Sequence, residues 1–271
     1  SNLYFIDKIY WILEDCKKFG TLPFAGLARC GFISMEILNS FVKEKIISQE
    51  EKFKFLSTIK TITTEMNDDL NKLNKKEFIK KYGHLRPGTH EITSKNYKTN
   101  FNLYFGKKKK QLRKNISFKF SQKQEKQIKN FIKKTKIYRN FNELMFFIKQ
   151  SIKLREYSKF VFSKSIDLIF ENLEQLGKKY NISKEELSYL DIQKILNMYF
   201  NYSNYQSIQS LKDNIKQNKE EYYKNFNINL PDIITDGKDL FVQKSQKTKI
   251  NFISNKIINS RIIDFKYANL K

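Results

Sequence analysis

The chain has 271 residues, with 52 Lys and Arg against 28 Asp and Glu, giving a formal net charge of +24. Its 40% hydrophobic content, including 24 Phe and 15 Tyr, supplies a large packed core and excludes disorder throughout. No GxxxxGK[ST] phosphate loop, dinucleotide GxGxxG, HExxH, cysteine zinc spacing or GxSxG elbow occurs, which excludes a self-sufficient enzyme of those classes.

A charge of this size raises nucleic acid or an anionic surface as a partner. The lysines are dispersed, however, and the one dense run, KKKKQLRK (107–114), lacks interleaved aromatics on which bases could stack. We therefore expect no nucleic-acid partner; a basic helical module binding polyanions is the alternative, a non-catalytic interdomain scaffold another. No apolar run approaches the roughly 18–20 residues of a membrane span, and no signal peptide opens the chain. Cys16 and Cys30 have no CxxC spacing and read as free thiols. The expectation is a cytoplasmic protein without membrane contact or metal, and the missing initial Met suggests a piece of something longer.

The predicted elements are helical nearly throughout. Leu3, Ile6, Tyr10 and Leu13 recur at three and four residues over 3–19. Gly20 should end that helix and Thr21 cap the next, with Pro23 in its first turn. The second helix runs to about Ile46, and Ala25, Gly26, Ala28 and Gly31 near its start would admit another backbone. Ser48 with Glu51 forms a capping box that opens a helix carrying Phe55, Ile59, Ile62, Met66 and Leu70 inward. Asn74 with Glu77 repeats the signal for a short helix ending at Gly83.

Residues 95–120 read as irregular and basic, and 121–136 as a Lys-rich helix anchored by Ile128, Phe131 and Ile132. Residues 140–179 form one long helix or two abutting ones. Ser183 with Glu186, and Ser188 with Asp191, mark two further starts, and a polar helix covers roughly 203–226. From Pro231 the pieces DLFVQ, INFIS and RIIDFKY are short and β-prone. The expected fold is mainly α: a helical central domain over 1–226 with a long central helix, then an extended segment over 227–271.

Three polar constellations stand out. In GHLRPGT, Pro87 and Gly88 predict a type II turn over Arg86–Thr89, with Gly88 at positive φ, fixing His84, Arg86, Thr89 and Glu91. The bland alternative is a helix stop followed by a turn. In the long helix, Ile148, Arg155 and Phe162 lie seven apart, so Arg155 falls on the core-facing stripe beside Glu156. A guanidinium there needs a carboxylate or a bound anion. Arg29 lies two turns into the small-residue helix, where packing is the simplest role.

At these residues a family likeness enters. DCKKFGTLPFAGLARCGFI (15–33), YGHLRPGTHEITS (82–94), REYSKFVFSKSIDLIFENLEQLG (155–177) and ISKEELSYLDI (182–192) resemble the central region of phosphoenolpyruvate-synthase-like phosphotransferases. The branch most similar is that of capsule and surface-polysaccharide clusters, and GHLRPGT is similar to a segment of rifampicin phosphotransferases. INFISNKIINSRIIDF (250–265) resembles the stretch leading into the family's swivelling phosphohistidine domain.

The resemblance implies an enzyme of three parts. An ATP-grasp-like domain uses ATP and Mg2+, a mobile domain carries a phosphorylated histidine, and a central region binds the acceptor. Neither His84 nor His90 has the family's Gly-Gly-x-x-Ser/Cys-His context, and the ATP-grasp residues are not in evidence. The chain alone is therefore expected to be inactive and to bind neither ATP nor metal, with no catalytic residue of its own. Its partners would be the two missing domains and a small-molecule acceptor, L-glutamine or another small metabolite such as pyruvate. The substrate-binding candidates are His84, Arg86, Thr89, Glu91, Arg155, Glu156 and Arg29. The turn and the long helix are expected to meet in one pocket, with Glu91 or Glu156 balancing charge.

Overall fold

The computed structural model describes residues 3–106, 117–137, 140–200 and 204–226. The chain divides into a unit Ser1–Tyr222 and a unit Tyr223–Lys271. The β-prone pieces beyond Pro231 and the basic run 107–114 lie outside the described residues. Those residues are 78% helical and contain no strand, so the mainly α class holds.

The helices are α1 (Leu3–Asp15), α2 (Leu22–Lys43), α3 (Gln49–Thr58), α4 (Ile62–Lys72), α5 (Lys75–Tyr82) and α6 (Phe101–Phe105). They continue with α7 (Gln122–Thr135), α8 (Phe141–Tyr180), α9 (Lys184–Leu187), α10 (Ile192–Phe200) and α11 (Asn204–Asn225). Local chemistry sets many of their starts. Ser48, Asn74, Ser121 and Ser183 each accept from the backbone N–H three residues on, and the residue there returns a side-chain bond. The long helix α8 is one unbroken element of 40 residues, opened by Asn140 and closed by Asn181 in the left-handed region.

Several expectations are corrected. Gly20 does not stop a helix: α1 and α2 are joined by a π-helical turn, Cys16–Thr21, and Thr21 has helical dihedrals without a side-chain cap. A Cβ on Gly20 would lie 2.7 Å from Phe162 Cβ, so this glycine serves close approach to α8 rather than a break. Of the small residues in α2, Gly31 is covered by the Arg155 side chain, whereas Gly26 has nothing within 4 Å. The single helix expected after Ser48 is two, because Ile59 turns extended between α3 and α4. Ser188 starts nothing; its hydroxyl donates to Glu185 O at the end of α9, and α10 begins at Ile192.

The absence of a long apolar run also needs correction. With the π turn unbroken, Phe5–Lys43 is a 39-residue helical stretch with a window of mean hydropathy 1.2, by length and composition enough to cross a membrane. It packs along α8 through both α1 and α2.

Three apolar clusters surround α8. The first gathers Ile6 and Ile9 with Ile169, Leu173, Leu176, Ile195 and Leu211. The second joins Leu38, Phe41 and Phe55 to Ile128, Leu144 and Ile148 at the other end of the helix. A third, mostly aromatic, packs Phe78, Tyr82 and Phe105 on Phe160. Asp69 of α4 accepts from both Lys81 and Tyr82 of α5, each at 2.7 Å. Burial first and that bond second push the Tyr82 phenol up to about 12.

Candidate functional site

The segment after α5 is built from main-chain bonds rather than from a glycine turn. Tyr97 N–H donates to Leu85 O and Lys98 N–H to Gly83 O, so residues 83–85 and 97–98 run side by side. Between them, Gly88 N–H donates to Ser94 Oγ, Glu91 N–H to Gly88 O and Ser94 N–H to Glu91 O. Gly88 does not have positive φ, which overturns the type II turn. Its missing Cβ matters because the Glu91 carboxylate folds over it, and a Cβ would meet Oε2 at 2.5 Å.

Arg86 points inward. Its guanidinium pairs with Asp167 of α8, donates from Nη1 to Ser94 O at 3.2 Å, and lies 4.9 Å over the Phe170 ring. Asn96 donates to the same Asp167 oxygen at 3.0 Å. All three side chains are buried. His84 packs on the Phe160 ring with Nε2 3.1 Å from Phe160 O. Burial holds its imidazole below the usual histidine value, and Lys164 pushes the same way.

Arg155 has the predicted phase but not the predicted depth. Its stem lies on Gly31 and its Nε is buried without a hydrogen-bond partner, while the side chain as a whole is 43% exposed, with Nη1 3.5 Å from Glu156 and the guanidinium 5.7 Å from the Phe32 ring. The small residue on α2 leaves a gap through which the guanidinium reaches solvent. Glu156 also accepts from Thr63 of α4 at 3.3 Å. Arg29 is exposed, and Thr89 half-buried.

None of His84, Arg86 and Arg155 lines either of two cavities against α8, and His84 meets α8 at Phe160, five residues beyond Arg155. Arg86 meets α8 at Asp167, twelve residues beyond Arg155, which is about 18 Å along the axis at 1.5 Å per residue. The 82–94 segment lines the first of these cavities, of about 430 Å³. Its floor is Ile166, Ile169, Phe170 and Leu173 of α8 with Cys16 of the π turn. Ile92, Leu187 and Leu190 close the apolar wall, and Lys17, Thr21, His90, Glu91, Thr93 and Ser188 form an exposed polar rim. Burial pushes the Cys16 thiol up, so the floor is uncharged.

Of the predicted residues, only Glu91 lines this cavity. Sequence reasoning missed the floor and Asp167. Asp167 had a visible signal: a carboxylate one residue from Ile166 and two from Ile169, on a helix whose inner stripe needs charge compensation. A π turn beside a cavity fits the general placement of such turns at functional sites.

The volume and the apolar floor with convergent polar groups suit a small organic molecule. Every lining residue except Leu13 lies in one of the four sequence blocks 15–33, 82–94, 155–177 and 182–192. A second groove, between α2 and the first half of α8, is lined by Leu27, Cys30, Phe146, Phe147, Gln150 and Leu154 among others, and lies mostly outside those blocks. No family model, no curated protein and no solved structure matches the chain.

Proposed function

We propose that this chain is the central, acceptor-binding domain of a phosphoenolpyruvate-synthase-like, ATP-dependent phosphotransferase that works through a phosphohistidine intermediate. The observation that carries this reading is the convergence of all four family-like blocks on one cavity. The stretches 34–81 and 95–154 separate the first two blocks from each other and from the adjoining last two, yet together the four enclose the space between the π turn, the 90–93 wall, α8 and α9–α10.

In this reading ATP and Mg2+ act on a separate domain, and the phosphoryl group arrives on a histidine carried by another. The cavity holds the acceptor with its reactive group at the polar rim. Such transfer depends chiefly on positioning and charge neutralisation, for which the rim offers Lys17 from the π turn and His90 and Glu91 from the wall. L-glutamine is the specific acceptor proposed, its side-chain amide being phosphorylated as in the L-glutamine kinases of capsule phosphoramidate synthesis.

The test is calorimetric titration of the chain with L-glutamine and with pyruvate, repeated on Ile166→Trp. Ile166 is half-buried on the floor, so the larger ring fills the cavity at modest cost to the fold. We expect binding of L-glutamine that weakens by at least about ten-fold in the variant, the loss of roughly 1.4 kcal/mol or more. Equal binding by both proteins, or binding of neither compound, overturns the reading.

A further inference from the structure

Asp167 does not line the cavity, yet it ties both ends of one wall. Its side chain is 7% exposed and that of its partner Arg86 4%. One oxygen, Oδ1, accepts from Arg86 Nη2 and from Asn96 Nδ2. Arg86 and Asn96 bracket the turn that supplies His90, Glu91, Ile92 and Thr93 to the cavity. Arg86 further holds Ser94 through its carbonyl, and Ser94 in turn accepts from Gly88 N–H. Below, the guanidinium lies on Phe170, which is itself part of the floor. Wall and floor are thus joined through one carboxylate.

A buried ion pair adds little net stability, because the cost of desolvating two charges offsets most of their attraction. Apolar residues of similar volume would fill the same space at least as well. What the pair supplies and apolar residues do not is direction: fixed donor and acceptor geometry at both ends of a turn whose His90, Glu91 and Thr93 are exposed and whose one buried apolar side chain is Ile92. We infer that Asp167 is a positioning residue of the cavity, which presets the 90–93 wall so that a ligand does not have to order it on binding. This rests on the cavity being the acceptor site, and it places part of the ligand affinity in pre-organisation rather than in contact.

The experiment removes the pair while keeping the fold. In Arg86→Met/Asp167→Leu the charges leave together, so melting should stay close to that of the parent. Amide hydrogen exchange over 89–94 should accelerate by at least about ten-fold, while α2 and the rest of α8 keep their protection. The L-glutamine dissociation constant should rise by about ten-fold or more. Asn96→Leu, which removes no charge but takes away the bond to Asp167 and those that its Oδ1 accepts from Thr99 N–H and Oγ1, should show a smaller acceleration confined to the 92–99 end.

Unchanged exchange over 89–94 in the folded double variant overturns the inference, as does faster exchange with unchanged affinity. Should the double variant lose protection everywhere, Asn96→Leu decides by the same reading: local acceleration supports the inference and parental exchange overturns it. The underlying site assignment fails separately. It is Ile166→Trp, not the double variant, whose unchanged binding would remove the cavity as the ligand site.

Discussion

Two arginines meet α8 on its inner side, and they have opposite fates. Arg86 comes in from a loop, is almost wholly buried, and is held by a carboxylate, a carbonyl and an aromatic ring. Arg155 belongs to α8 itself and occupies the seven-residue stripe of Ile148 and Phe162, yet its outer end passes over Gly31 to solvent while its Nε stays buried. The pair teaches that helical phase fixes the direction a side chain leaves, while the residue across the interface fixes how deep it ends. A glycine opposite Arg155 opens a way out; Asp167, Asn96 and Phe170 around Arg86 close it.

The largest expected effect breaks the Arg86 side. Arg86→Ala leaves Asp167 with Asn96 alone as its partner in a buried site, and should cost about 3–5 kcal/mol in chemical denaturation. A loss below about 1 kcal/mol would mean that water reaches the carboxylate and that the two arginines do not differ in kind.

Arg155→Ala should cost at most about 1 kcal/mol, since its ion pair is long and solvated and what it loses is chiefly stem packing. A cost as large as that of Arg86→Ala would collapse the contrast. Because Arg155 does not line the cavity over Ile166–Leu173, the proposed function predicts that calorimetry on the same variant returns the parental affinity for L-glutamine.

The smallest expected effect is a pH slope. His84 lies near both Asp167 and Lys164, and its folded value is held below the 6.5 of a free imidazole. In the window below 6.5 and above that folded value, the unfolded chain takes up a proton that the folded chain refuses. Stability therefore rises with pH through this window and falls on acidification. Denaturation midpoints across it should show the rise, and His84→Gln should flatten it; an unchanged slope in that variant would assign it to other groups.

Much of the scaffold was readable because its signals are local. The capping pairs at Ser48, Asn74 and Ser183 act within four residues, and the apolar stripe of 148–176 marks a long helical stretch, which is one element rather than two abutting ones. What was misread depends on partners remote in sequence. Gly20 is set by Phe162, Gly88 by the way Glu91 folds back, and the depth of Arg155 by Gly31. The candidate site suffered most, because a cavity is a property of four segments at once and no one of them advertises it. The segment 82–94 was singled out, but its turns close at 88–91 and 91–94 rather than over 86–89, and Arg86, credited with binding, is engaged in holding that segment.

The π turn between α1 and α2 has a consequence for how this chain tolerates length change. Facing α8, Ile9 and Cys16 are seven residues apart, as are Phe24, Gly31 and Leu38; only the step from Cys16 to Phe24 is eight. The turn absorbs one surplus residue and hands the same face on to α2. It acts as a phase corrector, the helical counterpart of a leap day. Deleting a single residue from Lys17–Phe19 would make the step from Cys16 to Phe24 seven like the others, so that α-helix runs straight through, the faces of α1 and α2 stay in step along α8, and the π turn itself is lost.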